Sequence, residues 1–174
     1  MKMKRIIQNV AGFSQYDVPL SHRGKNSACG PTAIATILNY HYPHSEPADQ
    51  WQKKWYVNSK TGWFGLSARK MSRTLNELGF STKVKKKMFI QSYMHEIEHN
   101  RPAAIKFDQW TSFRWFSSEY KYRYHWVTGV GYEVTDDDFF LLALDHGKQK
   151  DAIRRISFSV NAQILSLVTF SPEK

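Results

Sequence analysis

A chain of 174 residues with 41% apolar and 15% aromatic side chains has the material for a buried core, which excludes a disordered linker or tail. Lys and Arg outnumber Asp and Glu by 25 to 15. The basic surface suits anionic partners (nucleic acid, anionic lipid, wall polymers, acidic substrates) without selecting among them. The single cysteine, Cys29, excludes an intrachain disulfide and a thiolate-rich zinc site.

The start, MKMKRIIQNVAGFSQYDV, is basic and lacks an apolar stretch of signal-peptide length. No run approaches the roughly 20 apolar residues of a membrane helix. The expectation is a single domain over 1–174 with no membrane span, cytoplasmic in preference; a secreted or surface form trimmed of its leader would read the same. Oligomeric state is not legible.

In chain order, GPTAIATILNYH (30–41) predicts a helix with Ala33, Ile34, Ile37 and Leu38 on one face and Pro31 in the first turn, where proline is tolerated. SEPADQWQKKWY (45–56) predicts a second helix capped by Ser45, with Trp51 and Trp55 at helical spacing. LSARKMSRTLNELG (66–79) aligns Met71, Leu75 and Leu78 and stops at Gly79. A short helix over 88–99 is closed by Pro102. Then the period changes. Segments 102–107, 120–134, 138–145, 152–158 and 164–170 are rich in β-branched and aromatic residues, and the turn signals TDDD and DHGKQKD separate the later ones. Helices followed by strands predict an α+β protein with a largely antiparallel sheet.

Cys29 stands in SACGPTAIATIL, directly before the best-formed helix. Unpaired N–H groups and the positive dipole end at a helix start stabilise a thiolate and can cradle an oxyanion. Buried, inert cysteines are common, so position alone does not make Cys29 a nucleophile. His125 opens the alternating run HWVTGVGY and shares a face with Val127, Gly129 and Gly131, where small residues leave room for close approach. Asp145 ends the next apolar strand, FFLLALD. If the two strands turn about Thr135, His125 and Asp145 lie opposite each other; a slightly different loop makes them diagonal but leaves both on one face. A carboxylate there holds the imidazole tautomer and steadies the imidazolium.

These residues resemble a known family. Val18–Pro19, ACGPTAIATILNY, NRPAAIKF, HWVTGVGY and LALDHG follow in the order seen in papain-fold cysteine peptidases related to the double-glycine leader peptidases of bacteriocin exporters. The resemblance runs from about Val18 to Phe158, with the Cys-Gly-Pro element its most specific part. It implies an N-terminal helical lobe carrying Cys29, a C-terminal antiparallel β lobe carrying His125 and Asp145, and a cleft between them. No exporter membrane segments follow, so the likeness is to free-standing members. The family's usual glutamine, a few residues before the cysteine, corresponds here to Arg23, while Gln15 lies upstream of the Val-Pro element. The oxyanion donor expected in its place is His22, Arg23 or Asn26; without one the site is weak or silent, because one such donor is worth on the order of 100- to 1000-fold in rate.

Other motifs carry less. His95–Glu96–Ile97–Glu98–His99 matches the H-E-x-x-H zinc pattern, but Ile90, Tyr93 and Ile97 read as the buried face, Pro102 ends the helix, and no third ligand is evident. KVKKK (83–87) and KYRY (121–124) could bind polyanions, yet such runs are usually solvated faces or strand edges. The aromatic WTSFRWFSSEY (110–120) reads as packing between the lobes or as a flap of the cleft. The resulting expectation is a cysteine peptidase hydrolysing amide bonds of a peptide or protein through Cys29, His125 and Asp145 and a thioester acyl-enzyme. Alternatives are a thiol acyltransferase or a catalytically silent papain-like module for an anionic partner. Neither reading implies a metal or organic cofactor.

Overall fold

The computed structural model describes residues 2–112 and 119–171. The elements are β1 (Met3–Ile6), α1 (His22–Ser27), α2 (Cys29–His41), α3 (Ala48–Asn58), α4 (Ala68–Glu77), β2 (Ser81–Lys85), α5 (Phe89–Glu98), β3 (Ala103–Asp108), β4 (Tyr124–Val134), β5 (Phe139–Leu144), β6 (Ile153–Ser157), α6 (Phe158–Asn161) and β7 (Leu165–Ser171). The described strands form one antiparallel sheet in the order β2-β7-β3-β4-β5-β6, and β1 pairs with the second half of β4. A helical part bearing Cys29 and a β part bearing His125 realise the expected α+β arrangement. Among the described residues no helix is long and apolar enough to cross a membrane. Of the aromatic segment 110–120, residues 113–118 lie outside the described residues.

The sheet has a core on each face. On one, Ala104, Trp126, Val168 and Phe170 pack against α2, with Trp51, Trp55, Met71 and Leu75 behind and beside it. On the other, Ile105, Phe107, Val127 and Leu167 pack against Tyr93 and Ile97 of α5. Alternate strand residues point to opposite faces, so β3 and β4 feed both cores. The expectation of one apolar face on α2 is too narrow. All residues from Cys29 to Leu38 are buried, because α3 covers the side turned away from the sheet, and Trp51 anchors it with an indole N–H to Ala35 O at 3.0 Å. A helix enclosed in this way need not be amphipathic.

Some boundaries move for local reasons. α3 begins at Ala48 with Pro47 as its N-cap rather than at Ser45, since a residue before proline is pushed out of the helical region. α1 was not expected: HRGKNS has a central glycine and no apolar period. Lysine-rich β2 sits at an edge of the sheet, where lysines are tolerated.

Two of the glycines held by close approach bear on the packing around β4. A Cβ on Gly30 would lie 3.0 Å from Leu66 Cβ and 3.1 Å from Trp126 Cδ1. One on Gly129 would fall 2.5 Å from the Tyr93 ring and hydroxyl, and that hydroxyl is fixed by donating to Gly131 O at 2.7 Å. Gly129→Ala is therefore expected to cost about 1–3 kcal/mol by overpacking, read as a lower urea midpoint; an unchanged midpoint would show that Tyr93 is free to move aside.

Candidate active site

The start of α2 meets the first residues of β4. α1 runs into α2 through Ala28, which has helical dihedrals and no side-chain cap to offer. The first N–H groups of α2 are thus left without a competing side-chain oxygen. Cys29, the first residue of α2, is 3% exposed. Burial pushes its thiol above the ordinary range; the N–H groups of Trp126, Gly30 and Cys29 itself, together with the positive charge of Lys106, oppose that rise.

His125 immediately precedes Trp126 on β4. Its Nε2 lies 2.6 Å from the main-chain oxygen of Asp145. A carbonyl only accepts, so Nε2 carries the hydrogen and Nδ1 holds the lone pair. Burial pulls the imidazole below its usual range, opposed by the Asp145 carbonyl and the Asp145 charge. The ring of Tyr122 packs beside it with centroids 4.7 Å apart.

The hairpin register explains the main-chain contact. Val134 pairs with Phe139 and Thr128 with Leu144, with a shift between Gly129 and Gly131. The turn therefore centres beyond Thr135, and continuing the register sets Asp145 across from Val127, diagonal to His125. The carboxylate is engaged elsewhere. Oδ1 accepts from Gly147 N at 2.8 Å, and Oδ2 accepts from Arg154 Nε at 2.9 Å and from the Tyr122 hydroxyl at 3.4 Å. Burial works against ionisation of this carboxyl, but the Gly147 N–H and Arg154 outweigh it and hold Asp145 below its usual range.

The residues expected to donate to an oxyanion lie on exposed α1. Asn26 Nδ2 and His22 Nδ1 are 3.5 Å apart, and the Arg23 guanidinium stacks 5.0 Å over Trp63. Gln15 is buried instead. Its Nε2 donates to Lys25 O at 3.1 Å, the carbonyl that also takes the Ala28 N–H, and its Oε1 has no partner. That sets the Gln15 amide against the end of α1, which leads through Ala28 into α2. A fixed spacing rule does not reach it because α1 is interposed between Gln15 and the cysteine. In the H-E-x-x-H segment, Glu96 is held bidentately by Arg101 at 2.9 Å through both oxygens, and His95 and His99 stack on each other with centroids 4.2 Å apart. Among the described residues no group of three His, Cys, Asp or Glu side chains could hold a metal ion.

The sequence matches the Peptidase_C39 like family over residues 7–154. Among curated proteins none matches it. Several solved structures share the fold, three of them as follows. The peptidase domain of Streptococcus ComA, a bi-functional ABC transporter of a quorum-sensing pathway, is 15% identical with a TM-score of 0.59, covering 95% of this chain and 100% of that one. A Bacillus anthracis protein described as a C39-like peptidase is 15% identical, TM-score 0.62, covering 99% and 100%. A double glycine motif protease from an AMS/PCAT transporter, in complex with the leader peptide, is 14% identical, TM-score 0.53, covering 98% and 99%.

His146, next to Asp145, ties these parts together. It is fully buried at a left-handed φ of 62°. Nε2 lies 2.9 Å from the Thr128 hydroxyl, Nδ1 3.1 Å from Phe13 O, and the His146 carbonyl accepts the Gln15 N–H at 2.9 Å. Both ring nitrogens are thus used by a neutral imidazole, and burial holds its pKa down to about 4. In the unfolded chain an imidazole titrates near 6.5. Between those values the unfolded state binds more protons, so stability falls as pH drops from about 6.5 towards 4, by on the order of 3 kcal/mol in all. Urea denaturation at several pH values across this window should give a clearly shallower pH dependence for His146→Gln than for wild type. Equal slopes would show that His146 is not the group responsible.

Proposed function

The chain belongs to the Peptidase_C39-like family, and on that premise we propose that it is a cysteine peptidase acting on a peptide or protein, with Cys29 as nucleophile, His125 as general base and Asp145 as the residue that orients the base. The observation that supports this most is the junction at Trp126. The thiol on the uncapped start of α2 lies against the N–H of the residue that follows His125, while His125 is anchored through Nε2 with Nδ1 left to accept a proton. The leader peptide bound by a neighbouring fold supports a peptide as substrate, and the net charge of +10 suits acidic segments within it.

The two shifts, thiol up and imidazole down, both favour the neutral pair in the free protein. The proton therefore passes from Sγ to Nδ1 as the substrate carbonyl arrives and is attacked, rather than resting beforehand on the imidazole. Catalytic hydrogen bonds of this kind tighten in the substrate complex. The Asp145 carbonyl and carboxylate charge steady the imidazolium so formed. The oxyanion is held by the Cys29 N–H and by the second amide hydrogen of Gln15, which takes the donor role expected of α1. The imidazolium then protonates the departing amine, leaving a thioester on Sγ. Water attacks it with His125 again as base, releasing the acid and the thiol.

Cleavage of a peptide library, followed by mass spectrometry, tests the assignment. Cys29→Ala and His125→Ala should abolish turnover, and Asp145→Asn should reduce it less completely. Gln15→Ala should cost on the order of 100- to 1000-fold, while His22→Ala and Asn26→Ala should change little. Cleavage by Cys29→Ala would refute the nucleophile. Peptide binding without turnover in the wild type points instead to a silent module, and capture of the acyl group by an added amine in place of water points to an acyltransferase.

A further inference from the structure

A lysine in the middle of an otherwise apolar strand needs a reason. Lys106 occupies the AAIKFD segment of β3, whose residues from Ala103 to Phe107 are all buried, and it is only 5% exposed itself. It faces α2: its cross-strand partner on β4 is Trp126, the residue packed against Gly30 and Leu66 at the start of that helix. Its ammonium pairs with Asp108 Oδ2 at 2.7 Å and lies 4.5 Å from the centre of the Tyr124 ring. The Tyr124 phenol senses the charges of both Lys106 and Cys29, so the three groups share one local field. Asp108 supplies one anion to this buried ammonium. The Cys29 thiol, whose ionisation the Lys106 charge favours, is a second group nearby that can become one.

We propose that Lys106 is the fixed positive charge that stabilises the Cys29 thiolate as it forms, held in place by Asp108 and the face of Tyr124. This rests on Cys29 being the nucleophile, and it adds to His125 a second and permanent source of stabilisation. His125 removes the proton as attack proceeds and leaves the pair neutral overall. Lys106 exchanges no proton and acts through its field alone, which burial keeps from being screened. It is a positioning residue for charge and contacts neither the scissile bond nor the leaving group.

The pH dependence of alkylation of the single thiol separates this role from a merely structural one, because access sets the limiting rate while the electrostatic field sets the midpoint. Lys106→Met, its fold checked by circular dichroism, should move the midpoint upward and slow alkylation at pH 8 by about 3- to 10-fold. Lys106→Arg should keep the midpoint near that of wild type. A methionine variant that titrates like wild type overturns the proposal, as does an arginine variant that shifts equally far. Should Lys106→Met not fold, Asp108→Asn gives the opposite test. It leaves the ammonium without its neutralising carboxylate, so the midpoint should fall, and an unchanged or raised midpoint overturns the assignment. None of these readouts needs turnover, so they stand apart from the cleavage assay that tests Cys29 as nucleophile.

Discussion

The site depends on how near the first turn of α2 comes to β4. Leu66 and Trp126 crowd residue 30 so closely that a Cβ there would lie only 3.0–3.2 Å from them, and Trp126 is locked by its indole N–H on Leu66 O at 2.8 Å. Because Gly30 has no Cβ, the Cys29 thiol reaches the main chain of β4 and the N–H of Trp126. Ala28 contributes by what it lacks. A serine or aspartate at that joint would cap the helix and take up donors that a thiolate or an oxyanion can use. The same few residues therefore set both the packing of the helix on the sheet and the electrostatics of the thiol.

Burial here works against the chemistry as well as for it. It raises the thiol and lowers the imidazole, which makes a resting ion pair unfavourable. It also keeps water from screening the helix dipole, the oriented N–H groups and the ammonium of Lys106. Under the proposed mechanism such a site stays neutral until a substrate brings the carbonyl that accepts the charge. The aspartate beside it is similarly committed. Arg154 and the Gly147 N–H fix the carboxylate, and the main-chain carbonyl of the same residue fixes the imidazole, so one residue holds His125 with one group and supplies charge with another.

Much of this was legible in the sequence, where pattern and physics coincide. Helix α2 and strands β3, β4 and β5 follow from apolar periodicity and turn residues, and Cys29 is marked by its place before Gly-Pro. The hairpin and its TDDD turn were legible to within a residue or two, but the shift at Gly129/Gly131 has no signal in composition, and it helps decide that Asp145 meets His125 through its carbonyl. α1 was hidden because its six residues carry no apolar stripe, and with it went the place of Gln15, which only folding around α1 brings to the Lys25 carbonyl. Lys106 was hidden for a different reason. Alternation shows that it shares a face with Ala104, but not that this face lies under the start of α2.

The His146 latch joins Phe13 to the end of β5, a contact between residues 133 apart in sequence. Contacts of such separation form late, because the loop they close is long and its entropy cost comes before its reward. During synthesis the segment carrying Gln15 emerges early and has its local contact with Lys25, but it lacks its anchor on His146 until the hairpin has closed. A nascent or truncated chain thus carries its cysteine without the environment built around it, and the thiol acquires its neighbours only when nearly the whole chain is in place. The order of assembly therefore leaves the surroundings of Cys29 incomplete until the segment carrying His146 is in place.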